Sequence, residues 1–135
     1  KKSDILFLGR DHEKYNYACL NEQYLVSALQ NTGRRVTYIE PSKLSLEEQI
    51  LYVKGAKTII GFYGSNLSLF CLLEKYQNII FLYTIRNHFG FQQYAVAAGI
   101  NATHLLISKF EENSNQNFFI EESEIEKIAW EVVKL

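Results

Sequence analysis

A chain of 135 residues and 15.7 kDa, 47% hydrophobic and 21% charged, has the size and composition of one folded domain and not of a disordered tail. Fourteen Lys and Arg against fifteen Asp and Glu leave a formal charge of −1, which argues against nucleic acid as a partner, because such surfaces carry a basic excess. Two cysteines, Cys19 and Cys71, without CxxC or Cys/His spacing, argue against a structural zinc and a disulfide framework.

The sequence has no methionine and begins with Lys1, so it reads as a single domain, 1–135, excised from a longer protein. There is no signal peptide, and no apolar run reaches the roughly eighteen residues of a membrane span. The expected location is the cytoplasm, any membrane association being supplied by the parent protein.

Ile5 to Leu8 is an unbroken apolar run, the pattern of a strand buried on both faces. Asn21 to Asn31 follows as a helix, with Leu25 and Leu29 one turn apart, Asn21 as N-cap and Gly33 as terminator. Val36 to Ile39 is a second strand, stopped by Pro41. Ser45 and Glu48 form a capping box, opening a helix whose Leu46, Ile50 and Val53 share a face. Thr58 to Phe62 is a third strand, broken at Tyr63-Gly64-Ser65-Asn66. Leu67 to Tyr76 reads as a helix, Ile79 to Tyr83 as a fourth strand, Phe91 to Ala98 as a helix ended by Gly99, and Thr103 to Ile107 as a fifth strand. Glu111 to Asn117 is polar and aperiodic, hence a loop. Ile125, Ile128, Ala129, Val132 and Val133 place the last helix on the core.

Strands separated by helices, without hairpin signals, predict a Rossmann-like, doubly wound α/β domain. Its sheet is mainly parallel, of about five strands, with helices on both faces. Ligands of such sheets bind at the carboxyl ends of the strands, near the point where the strand order reverses. Arg10 stands just past the first strand; its guanidinium can fork onto phosphate oxygens or pair with Asp11 or Glu13. After the third strand, Gly64 allows a sharp turn, and Ser65 or Asn66 can cap the next helix or bond a diphosphate at its N-terminus. Arg86 and His88, after the fourth strand, are explained as well by a ligand as by loop polarity. GxGxxG and the Walker lysine motif are both missing, which leaves NAD and ATP unsupported in their usual modes. His12 and His104 lack metal-ligand spacing, so no metal site is expected.

The run of Asn21-Glu22, Leu25, Leu29, Gly33, Glu40, Leu44-Ser45-Leu46-Glu47-Glu48-Gln49, Ala56 and Ile59 to Leu67 resembles glycosyltransferase family 61. That family's pattern runs from an Arg through Asn-Glu, Leu-Ser-x-x-Glu-Gln, an Ala and an Ile-Gly strand end to His-Gly-Ala-Gly-Leu-Thr-Asn. The likeness spans residues 5 to 100. It departs at the turn: Tyr63 stands for the His, Ser65 for the Ala, Asn66 for the second Gly, and Ser68-Leu69 for Thr-Asn, while Gly64 and Leu67 match. The resemblance implies the C-terminal, nucleotide-sugar-binding half of a GT-B arrangement, in an inverting, metal-independent bacterial enzyme of surface or capsular polysaccharide. It implies a donor site at Arg10, Tyr63, Gly64, Ser65 and Asn66, to which Arg86 is added from its place after the fourth strand, no cofactor beyond the donor substrate, and a glycan acceptor held by an upstream domain. The catalytic residues stay unassigned, and the isolated domain is expected to be inactive. The other reading is a degenerate, non-catalytic domain serving assembly or partner binding. Glu48, Asn21 and Glu22 have sufficient explanations as capping box, cap and first-turn acid.

Overall fold

A computed structural model describes residues 3–10, 18–62, 77–84, 102–113 and 117–135. In chain order these form β1 (Ser3–Leu8), α1 (Glu22–Asn31), β2 (Val36–Ile39), a 3-10 turn (Pro41–Lys43), α2 (Leu46–Lys54), β3 (Ala56–Phe62), β4 (Asn78–Tyr83), β5 (Ala102–Leu106), β6 (Phe110–Glu112), β7 (Phe118–Ile120) and α3 (Glu122–Val133). The sequence-predicted helices 67–76 and 91–98 lie outside the described residues.

Strands β1 to β5 form one parallel sheet in the order β2-β1-β3-β4-β5. The apolar runs have the consequence expected of them. In β1, Ile5 and Phe7 enter one core while Leu6 and Leu8 enter the other; in β3, Ile60 and Ile59 divide the same way, and in β4, Ile80 and Leu82 oppose Ile79 and Phe81. The first core is closed by Leu25, Val26 and Leu29 of α1 and by Ile125, Ile128, Ala129 and Val132 of α3. Val53 of α2 closes the second. This is a doubly wound α/β fold, as predicted, and no helix among the described residues is long and apolar enough to cross a membrane.

Three expectations are corrected. Glu111 and Glu112 belong to β6, not to a loop, and β6 pairs antiparallel with β7 in a hairpin. Phe118 and Ile120 are buried and Phe119 is not, so a strand of only three residues suffices to anchor it. Asn21 precedes α1, but its side chain makes no cap hydrogen bond. Its amide nitrogen donates to Ile120 O at 2.9 Å, and its oxygen accepts from Ile120 N at 2.9 Å, so a tertiary partner outcompetes the local one. Leu46 is 64% exposed and leaves the apolar face of α2 to Val53 and the half-buried Ile50. The predicted capping box is present in both directions: Ser45 Oγ accepts from Glu48 N, and Ser45 N donates to Glu48 Oε1, each at 3.2 Å. Gly33, at φ +89°, ends α1 in the left-handed conformation glycine tolerates.

Candidate site at the carboxyl edge of the sheet

Parallel pairing brings the carboxyl ends of all five large strands to one edge. The order reverses between β1, which leads outward to β2, and β3, which leads the other way through β4 to β5. Leu8 pairs with Gly61 there, so the ends of β1 and β3 lie side by side. This is where open parallel sheets bind their ligands.

Arg10, half-buried, is the sequence-predicted site residue found at this place. Its backbone N–H donates to Glu22 Oε1 at 3.3 Å. Tyr63, Gly64, Ser65, Asn66 and Arg86 lie outside the described residues, as do His12 and His88. Tyr63 follows directly on the last residue of β3, and Arg86 comes three residues after the end of β4.

Beside Arg10 the fold assembles a cluster around Glu22, which the sequence explains locally as a first-turn acid. Tyr38 projects from β2 on the α1 side of the sheet and stacks on Phe7, ring centroids 5.9 Å apart. Its hydroxyl donates to Glu22 Oε1 at 2.5 Å and lies 3.2 Å from Glu40 Oε1. Lys43 Nζ meets Glu40 Oε2 at 2.6 Å. Glu22 is 5% exposed at the first turn of α1, where a carboxylate also favours the positive end of the helix dipole. Burial and then the neighbouring Glu22 hold the Tyr38 phenol far above its ordinary pKa of 10.0, so it stays a donor. Gly9 is required by this arrangement, because a Cβ there would stand under 3.0 Å from the Tyr38 ring and hydroxyl. The signal that could have found Glu22 is the Asn21-Glu22 pair inside the resemblance; nothing local marks Tyr38, which arrives from another strand.

Other predicted polar residues have structural work. Gln49 donates to Pro41 O at 2.8 Å and Leu44 O at 3.1 Å, closing the 3-10 turn onto α2. His104 sits within β5, its ring 5.1 Å from that of Phe81, and burial lowers its pKa. Cys19 is a buried thiol whose pKa burial pushes up to about 12. Among the described residues no group of three or more His, Cys, Asp or Glu is arranged to hold a metal ion. A groove of about 720 Å³ lies between α1 and α3, flanked by the exposed Tyr24 and Trp130. Helix surfaces and Ile120 of the hairpin line it rather than the ends of the parallel strands, so the carboxyl edge remains the candidate site.

The family model for Glycosyltransferase 61 matches residues 1–80, which include Arg10, Glu22, Tyr38, Glu40 and Tyr63 to Asn66. No curated protein matches the sequence. Among solved structures, the flavodoxin-like domain of a Synechococcus protein superposes with a TM-score of 0.64 at 14% identity, covering 93% of this chain and 91% of its own. A diflavin flavoprotein A3 from Nostoc gives 0.60 at 12% identity, covering 96% and 87%. A Streptococcus pneumoniae TIGR4 flavodoxin gives 0.55 at 14%, covering 97% and 99%. At these identities the likeness establishes a flavodoxin-like fold and nothing about ligands.

Proposed function

Because the chain belongs to glycosyltransferase family 61, we propose that its α/β domain binds the nucleotide-sugar donor of an inverting transferase that builds a surface or capsular polysaccharide. The observation that carries this reading is the position of Arg10, two residues past β1 at the carboxyl edge of the sheet, where the strand order reverses between β1 and β3. Arg10 forks onto the donor diphosphate, and the turn Tyr63-Gly64-Ser65-Asn66 offers backbone N–H groups to the same oxygens, with Arg86 approaching from beyond β4. Guanidinium and N–H groups then meet the diphosphate charge without a metal or further cofactor. The domain serves as the C-terminal half of a GT-B enzyme in the cytoplasm, the acceptor glycan being held by another α/β half.

Calorimetric titration of the 135-residue chain with uridine, guanosine and cytidine diphosphates tests the reading. One of them binds, and Arg10→Ala weakens it by about 1.5–3 kcal/mol, roughly 10- to 150-fold, the scale of a charge-assisted hydrogen bond. Gly64→Val abolishes binding, and Tyr63→His leaves it equal or tighter. The chain alone transfers no sugar, since reaction requires an acceptor half that closes over the donor and excludes water. Tyr63, standing where the family pattern has His, favours a second reading, a degenerate domain kept for assembly or partner binding. Failure to bind any of the three diphosphates at millimolar concentration selects that reading.

A further inference from the structure

We infer that Glu22 is a positioning residue for Arg10, braced by Tyr38, so that the backbone from which the Arg10 side chain departs is held from behind by the first turn of α1 and by β2. The inference rests on the donor-site reading for what Arg10 does, and on geometry alone for what holds it. Two donors, one from β2 and one from the segment after β1, converge on one carboxylate oxygen of α1. Glu22 Oε1 takes the Arg10 backbone N–H at 3.3 Å and the Tyr38 hydroxyl at 2.5 Å. Tyr38 in turn lies against Gly9, the residue just before Arg10, so closely that a Cβ has no room there. Gly9 N donates to Ile39 O at 2.7 Å, which ties the same segment to the end of β2.

A strand that has left its sheet ordinarily lacks fixed partners, and its backbone must lose conformational entropy when a side chain on it grips a ligand. Here the first two residues past β1 are held on both sides, by β2 and by α1, before any ligand arrives. Preorganisation of this kind supports a binding group from its second layer. Burying a carboxylate beside a site for an anion costs affinity unless donors absorb its charge. The phenol and the Arg10 N–H are two such donors, which is why Glu22 is compatible with a diphosphate nearby.

The role belongs to the acceptor oxygen and not to the net charge, and the test separates the two. Glu22→Ala, Glu22→Gln, Arg10→Ala and the Arg10→Ala/Glu22→Ala double variant are titrated with the same diphosphates. Thermal unfolding and hydrogen exchange at the Arg10 amide are read on each. Glu22→Ala is expected to stay folded, because the Tyr38 hydroxyl turns to Glu40 Oε1, already 3.2 Å away. It weakens binding about tenfold, the upper scale of one lost hydrogen bond, and speeds exchange at the Arg10 amide. Glu22→Gln keeps the acceptor oxygen and returns both quantities to near those of the parent. The double variant binds no worse than Arg10→Ala, since Glu22 acts only through Arg10. Unchanged affinity in Glu22→Ala, additive losses in the double variant, or a Glu22→Gln as weak as Glu22→Ala would each overturn the inference. If the parent chain binds none of the diphosphates, the donor-site reading falls. The amide then decides alone: exchange that is slow in the parent and fast in Glu22→Ala supports the hold on Arg10, and exchange that is fast in both refutes it.

Discussion

Gly9→Ala is the most direct probe of the carboxyl edge, because it adds one methyl group at a place whose neighbours are fixed. The new Cβ would stand under 3.0 Å from Oη, Cζ and Cε2 of Tyr38. Two responses are open. If Tyr38 stays, the backbone of β1 and β2 must spread, an overpacking that costs about 1–3 kcal/mol. If the ring swings away, the hydroxyl leaves the Glu22 carboxylate, a loss of about 1.5–3 kcal/mol, and the stack on Phe7 goes with it, about another 0.5–1.5 kcal/mol. The chain takes the cheaper course, so the expected loss is about 2 kcal/mol. With a urea slope of about 2 kcal/mol/M for a domain of this size, the midpoint of unfolding falls by about 1 M. Repeating Gly9→Ala in a Tyr38→Val background removes the obstacle, and the cost should fall below about 0.5 kcal/mol, leaving a coupling of about 1.5 kcal/mol between the two positions. Equal losses in both backgrounds, or no loss in the parent chain, would show that Tyr38 does not pack on Gly9.

Asn21→Ala removes both hydrogen bonds to Ile120 and leaves that backbone pair without the partner it has across 99 residues; a loss of about 2 kcal/mol in urea unfolding is expected, and an unchanged midpoint would count against the clamp. Ser45→Ala should cost about 1 kcal/mol through the capping box, and Glu48→Ala in the same protein should add little, since the two bonds are reciprocal. The Arg35 guanidinium and then its backbone N–H hold Asp4 below its ordinary pKa of 3.8. A depressed carboxylate stabilises the fold above the unfolded value and loses that contribution as pH falls through the folded one. The stability gap between the parent and Asp4→Asn should therefore be flat from neutral pH down to pH 5 and narrow progressively as pH falls below 3.8; a gap that does not change with pH refutes the pairing. With its pKa near 12, Cys19 should resist iodoacetamide at pH 8.5 in the folded protein and react once urea is added, as read on its own peptide by mass spectrometry.

The three central strands, β1, β3 and β4, were legible because a strand buried on both faces can be written only in apolar residues. The runs at Ile5, Ile59 and Ile79 therefore carry their own burial in plain view. Helix α3 was legible for the matching reason at the helical period, with Ile125, Ile128, Ala129 and Val132 all buried. The hairpin was not. Three-residue strands offer one alternation each, and the one in β7, Phe118-Phe119-Ile120, reads as a uniform apolar patch until Phe119 is seen to face out. Asn21 misled because a side-chain amide can cap a helix or pair with a distant backbone equally well, and only tertiary structure decides. At the candidate site Arg10 could be picked from its place after a buried strand. The Glu22–Tyr38–Glu40 cluster could not, since it is made by residues from a helix, a strand and a strand end that meet only when β1 and β2 pair in register.

The closing contacts of the domain join its two ends. Ala18 N donates to Asn117 Oδ1, Asn21 grips Ile120 and Arg34 reaches Val133 O, each across 99 residues. A ribosome adding about 5–20 residues per second takes roughly 5–20 s to travel that distance. Throughout that interval Leu25, Val26 and Leu29 of α1 have been made while Ile125, Ile128, Ala129 and Val132, which share their core, have not. The nascent domain thus carries an uncovered apolar stripe until its last helix emerges, the kind of surface that chaperones bind and that aggregates when they do not. The segment matched by the family, residues 1–80, ends well before that helix, so an expression boundary drawn at the match would leave the stripe bare for good.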